Sequence, residues 1–155
     1  MTEAQRQTEK SIPVIVHRVV AAGVGEVFAY LTNPERMMEW MTPYPGDVRC
    51  VAHAEARAGG TFRLSMTSPD NKVCEISGEY VSVDPRRLVF TWTGPPTHYA
   101  NTLVTVELEE IDTDRTKLTL THERLPASEL REPHAAGWNT MLEHLDLCLP
   151  WPTAC

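Results

Sequence analysis

The stretch LVFTWTGPPTHYANTLVTVELEEIDTDRTKLTLTHE, residues 88–123, decides the fold. Three runs in it alternate apolar and polar side chains, and the turn clusters Gly94-Pro95-Pro96 and Asp112-Thr113-Asp114 separate them. Successive side chains of a strand point to opposite faces. Leu88, Phe90 and Trp92 therefore share one side, as do Val104, Val106 and Leu108, and then Leu118, Leu120 and His122. Thr105, Glu107 and Glu109 stand opposite the second row, and Lys117, Thr119 and Thr121 opposite the third. This is the pattern of antiparallel strands with one dry face.

Upstream, the same period reaches back to Asp47, with turns at Ala58-Gly59-Gly60, Ser68-Pro69-Asp70-Asn71 and Asp84-Pro85-Arg86. The expected strands are Asp47 to His53, Thr61 to Thr67, Val73 to Val83, Leu88 to Thr93, Thr102 to Glu110 and Lys117 to Glu123. Phe62, Leu64 and Met66 form another inward row, while Arg63 alternates outward with Thr61 and Ser65. Further back, Ile12 to Val20 is rich in β-branched residues and predicts one more strand. Val24, Val27, Phe28 and Leu31 then mark one face of a short helix. A second begins at once: Asn33 can cap it, Pro34 suits the first helical position, and Glu35 complements the dipole. Met37, Met38, Trp40 and Met41 give it an apolar side before Pro43 and Pro45-Gly46 end it.

Downstream, His134, Trp138, Met141, Leu142, Leu145, Cys148 and Leu149 follow helical spacing, with Asn139, Glu143 and Asp146 on the wet side. Pro133 is expected to open this helix, with Ser128 to Glu132 as a separate turn, because an internal proline costs about 3 kcal/mol. A sheet with one apolar face must cover it, and these helices are what the chain has to cover it with. The expected class is α+β: a curved antiparallel sheet of about seven strands wrapped around a long C-terminal helix, with two short helices after the first strand.

A chain of 155 residues, 42% hydrophobic and 23% charged, suits one domain with a real core. That domain is placed at residues 11–150, between a disordered tail at 1–10 and a C-terminal tail at 151–155. The net charge of -7 argues against nucleic-acid binding. No apolar run is long enough to insert in a membrane. Cys50, Cys74, Cys148 and Cys155 lack metal-binding spacing, and the N-terminal MTEAQRQTEK is polar, so reduced thiols and a cytoplasmic location are expected.

Several short motifs then fall in order: Val27-Phe28, Thr32-Asn33-Pro34-Glu35, Trp40, Gly59-Gly60 with Phe62-Arg63, Gly78 through Asp84-Pro85, Leu88-Val89-Phe90-Thr91-Trp92, Thr116 with Leu118, Leu120 and His122, and Gly137-Trp138 with Leu142 and Leu145. With this element order the chain resembles the START-like (SRPBCC, helix-grip) superfamily. Within it, the chain is similar to the activator of heat-shock-protein-90 ATPase homologue-like family, over roughly residues 12 to 149. It departs from the family at Ala22-Gly23, where an Ala-Pro is usual, and at Asp112-Thr113-Asp114, where the last hairpin is usually glycine-rich. The resemblance implies a hydrophobic or amphipathic cavity between sheet and long helix, and no fixed catalytic set.

On that footing the candidate ligand-binding residues are Trp40, Phe62, Met66, Tyr80, Trp92, Val104, His122, His134, Trp138 and Met141. His122 continues an inward row to a rim or wall of the cavity, and His134 lies one turn before Trp138. The residue types favour one hydrogen bond each at an element end, with orienting a polar ligand group or acid/base work as the functional alternative. His98 and Tyr99 fall near a cavity mouth. A third metal ligand is missing, Gly59-Gly60 lies outside any strand-to-helix phosphate loop, and GxSxG is absent, so neither metal, cofactor nor catalytic residue is assigned. Three readings stand in order: binding of a small hydrophobic or amphipathic molecule; a chaperone partner, activating a heat-shock-protein-90-type ATPase in a stress-response role; and a cyclase, dehydratase or hydrolase using the same cavity. Monomer and homodimer are both compatible with the exposed edge strands.

Overall fold

A computed structural model describes residues 12–46 and 49–149. The expectations for both tails fall outside these residues, as does the start of the strand expected from Asp47. Seven strands, β1 (Val14–Val20), β2 (Cys50–Ala54), β3 (Thr61–Thr67), β4 (Val73–Asp84), β5 (Arg87–Trp92), β6 (Thr102–Asp112) and β7 (Arg115–Glu123), form one sheet in the order β1-β7-β6-β5-β4-β3-β2. Every neighbouring pair is antiparallel. Three helices complete the fold: α1 (Val24–Thr32), α2 (Pro34–Met37) and α3 (Arg131–Cys148). The sheet curls around α3 in the helix-grip arrangement. No helix among the described residues is long and apolar enough to cross a membrane.

Register keeps the inward residues aligned across strands. One row runs Val16, Leu120, Val106, Leu88, and the next Val14, His122, Val104, Phe90, Tyr80. All nine are buried. Arg18, on the same face of β1, pairs with Asp146 of α3 at 2.6 Å and ties the helix to the edge strand. The outer face mixes polar residues with exposed apolar ones such as Ile15, Val19 and Val51, and at its middle the cross-strand partners Val89 and Thr105 are buried between β4 and β7. Thr105 was expected to be wet from alternation alone, and its central position in the sheet shields it.

Helix boundaries differ from expectation in two places. α2 ends after one turn at Met37, although Asn33 Oδ1 does accept the Glu35 N–H at 3.0 Å. Beyond it, Trp40 donates its indole N–H to Tyr30 O at 2.9 Å, which folds the chain back onto α1. α3 starts at Arg131, after a 3₁₀ turn over Ser128–Leu130, so Pro133 is its third residue. Proline is tolerated there because the first four N–H groups of a helix have no intrahelical acceptor to lose.

At Gly78 on β4 the packing leaves no room for a side chain. A Cβ there would lie 2.0 Å from Thr91 O and 2.4 Å from the Phe62 ring. Gly78→Ala is expected to cost about 2 kcal/mol or more, because neither backbone nor ring has space to yield. Ser77→Ala, its outward-facing neighbour, is expected to stay within about 0.5 kcal/mol. Urea denaturation of the two variants checks this, and equal midpoints would contradict the packing described.

Candidate functional site

Between sheet and helices the aromatic side chains run in one connected series. Tyr80 meets Phe62 at a ring separation of 5.5 Å, Phe62 meets Phe90 at 5.4 Å, and Trp92 meets Trp138 at 4.7 Å. These rings nearly fill the interior: the void that Trp40, Phe62, Tyr80, Trp92 and Trp138 share is only about 20 Å³, room for one water.

A larger space opens at one end of the helix. It is a cleft of about 330 Å³ between α3 and the β5–β6 connection, walled by Met66, Trp92, Trp138, Met141 and several prolines, with His134 and His98 among the lining residues. That volume lies at the lower end of the range for small-molecule sites. The β5–β6 connection reverses tightly because His98 and Tyr99 both adopt left-handed backbone, with φ of 53° and 60°. Buried Thr97 holds this turn, accepting from the Gly94 N–H at 3.3 Å and donating to Ala100 O at 2.9 Å. Two larger grooves on the outer face, of about 620 and 530 Å³, share Arg63, and exposed polar residues such as Glu79 and Glu75 line them.

The candidate residues thus divide. Trp40, Phe62 and Tyr80 line the small void; Met66, His134 and Met141 line the cleft; Trp92 and Trp138 line both. Val104 and His122 line neither and have no solvent exposure. His122 is thus no rim residue, since Trp138 lies over it.

Hydrogen bonding fixes the state of His122. The Trp138 indole can only donate, and its N–H reaches His122 Nδ1 at 3.0 Å, so Nδ1 is bare and the proton sits on Nε2. Nε2 then donates to Thr102 Oγ1 at 2.7 Å, and that hydroxyl donates to Trp92 O at 2.5 Å. Burial drives the His122 pKa down to about 3, and the neighbouring His134 pushes in the same direction. Both ring nitrogens are committed, so His122 is a structural linker.

His134 differs. Its ring stands edge-on to His122 at 5.0 Å. Nδ1 lies 2.7 Å from Leu130 O, a carbonyl that can only accept, so Nδ1 carries the proton and Nε2 is a bare acceptor. Nε2 is buried with no hydrogen-bond partner among the described residues. Leaving such a group unsatisfied costs about 1–3 kcal/mol. Burial also pushes the His134 pKa down, against a smaller upward pull from the Leu130 carbonyl.

Thr102 and His144 are among the buried polar residues that escaped the sequence reading. Thr102 falls on the inward parity of β6 with Val104, and extending the alternation by one step finds it. His144 is buried and its Nδ1 lies 3.1 Å from Thr42 O. Its place on the Met141 side of α3 was the available signal.

A family model described as "Activator of Hsp90 ATPase homolog 1-like protein" matches residues 21–149. Among solved structures, a protein from Rhodobacter sphaeroides is 21% identical, covers 94% of this chain and 96% of its own, and superposes with a TM-score of 0.77. One from Arthrobacter aurescens is also 21% identical, with coverage of 94% and 90% and a TM-score of 0.78. CalU16 from Micromonospora echinospora is 24% identical, with coverage of 90% and 76% and a TM-score of 0.69. At these identities the likeness is one of fold. No curated protein matches the chain.

The neutral state of His122 has a consequence for stability. Unfolded, the imidazole takes up a proton near pH 6.5, whereas in the fold it resists until about pH 3. Its contribution is complete above pH 6.5 and declines as the pH falls from there toward 3. At pH 5 the loss is on the order of 2 kcal/mol. Urea titrations at pH 7.5 and pH 5 should show a smaller drop, by that order, in His122→Gln than in the wild type. Equal drops in the two proteins would refute the assignment.

Proposed function

This chain belongs to the Activator of Hsp90 ATPase homolog 1-like family, and on that premise we propose that it binds a small hydrophobic or amphipathic molecule in the cleft between α3 and the β5–β6 connection. The observation that carries this reading is the lining of the cleft. Tryptophan, methionine and proline faces enclose about 330 Å³ beside a buried imidazole. An apolar wall with few placed polar groups is what small-molecule sites use to combine affinity with orientation. Methionines at positions 66 and 141 let the wall adapt to ligand shape. The single-water void under Trp40 and Tyr80 leaves the deep interior as packing, so the ligand sits at the end of the helix. The commitment of both His122 nitrogens also weighs against paired acid/base chemistry by the two histidines.

Gly137 provides a test, because it lines the cleft and a Cβ there would already come within 3.3 Å of Pro43. In a thermal-shift screen of apolar and amphipathic compounds, a true ligand at a hundredfold excess over Kd should raise Tm by about 5 °C or more. It should also quench tryptophan fluorescence through Trp92 and Trp138. Gly137→Leu, which takes up part of the cleft beside Pro43, should weaken both effects. The reading fails if no compound shifts the wild type, or if the Leu variant binds as well as the wild type.

A further inference from the structure

We propose that the cleft selects uncharged ligands carrying a small terminal hydrogen-bond donor, a hydroxyl or an N–H, which Nε2 of His134 accepts. This rests on the cleft being the binding site and adds what it discriminates. The direction of the hydrogen bond follows from the helix. Leu130 O, one turn earlier, can only accept, which places the His134 proton on Nδ1 and leaves Nε2 as an acceptor without a partner among the described residues. A ligand ether, ketone or carboxylate has no proton to offer there. A hydroxyl or N–H does.

Two further features narrow the class. No Lys, Arg, Asp or Glu lines the cleft among the described residues, so an ionic group on the ligand would lose its water without gaining a counter-charge. The residue is about nine-tenths buried and its Nε2 is recessed from solvent, so the donor must be small and at the end of the molecule. His122 cannot serve in its place, because its two nitrogens are held by Trp138 and Thr102. Its ring packs against His134 edge to face at 5.0 Å. The indicated ligand is apolar and neutral, with one donor at its tip, as in a phenol.

The test compares 2-naphthol with 2-methoxynaphthalene by isothermal titration at pH 7, where both are un-ionised. The pair keeps the apolar body and replaces the hydroxyl proton by a methyl group. Wild type is expected to bind the naphthol about tenfold more tightly. His134→Phe is expected to bind the two with equal affinity, and tryptophan circular dichroism reports whether that variant is folded. A second measurement needs no variant: the His134 Nε2 nitrogen resonance should move on adding the naphthol and stay in place with the ether. Equal affinities in the wild type, a preference that survives in His134→Phe, or an unmoved Nε2 resonance on naphthol binding overturns the proposal while leaving the cleft as a site. If neither probe binds the wild type, this proposal is overturned, whereas the cleft reading is decided separately by the thermal-shift screen and Gly137→Leu.

Discussion

The join between helix and sheet depends on one run of hydrogen bonds, from Trp138 through His122 and Thr102 to the backbone of Trp92. Its direction is forced at both ends, by an indole that can only donate and a carbonyl that can only accept. Every link is buried, so water cannot replace a broken one, and losing any partner strands another polar group in an apolar interior. The chain therefore sets more than local geometry. It places Trp138 against Trp92, which makes the wall shared by the void and the cleft, and it withdraws His122 from chemistry. Arg18 and Asp146 make a second tie near the other end of α3, more exposed and correspondingly weaker.

Strand parity carried the architecture a long way. Thr61 to Thr67 was legible to the residue, the other described strands to within a few, and the inward rows Leu88-Phe90-Trp92 and Leu118-Leu120-His122 are those that face α3. Parity works here because each strand meets water on one side, so a slip of register would expose a whole row. It gave the wrong answer for Thr105, since burial at the centre of a sheet also depends on neighbours across strands. Pro133 reads in the sequence as a helix opener, but the first turn admits proline at more than one position, and α3 begins at Arg131.

The site was legible in composition and only partly in geometry. Alternation says which face a side chain takes and nothing of the volume left between faces. Trp40, Phe62 and Tyr80 point inward as expected, yet their rings consume the space that an inward aromatic set suggests for a ligand. Room survives where α3 starts, because Gly137 has no side chain and the β5–β6 connection stands off the helix on its prolines. The unequal roles of the two histidines lay beyond the sequence too. Both are inward, and only the identity of each nitrogen's partner separates a spent imidazole from an available one.

The placement of β1 beside β7 has a consequence for how the chain is made. His17 and Thr119 hydrogen-bond across 102 positions, while the remaining strand pairs join neighbours in sequence. As the polypeptide leaves the ribosome, the hairpins from β2 to β7 can close in turn, but β1 must wait until the last strand has emerged. Pairing at such separation is slow, because a long loop closes before any contact rewards it. Until then Ile15 and Val19 sit on a strand with both edges open, and β1 is the strand exposed longest to aggregation.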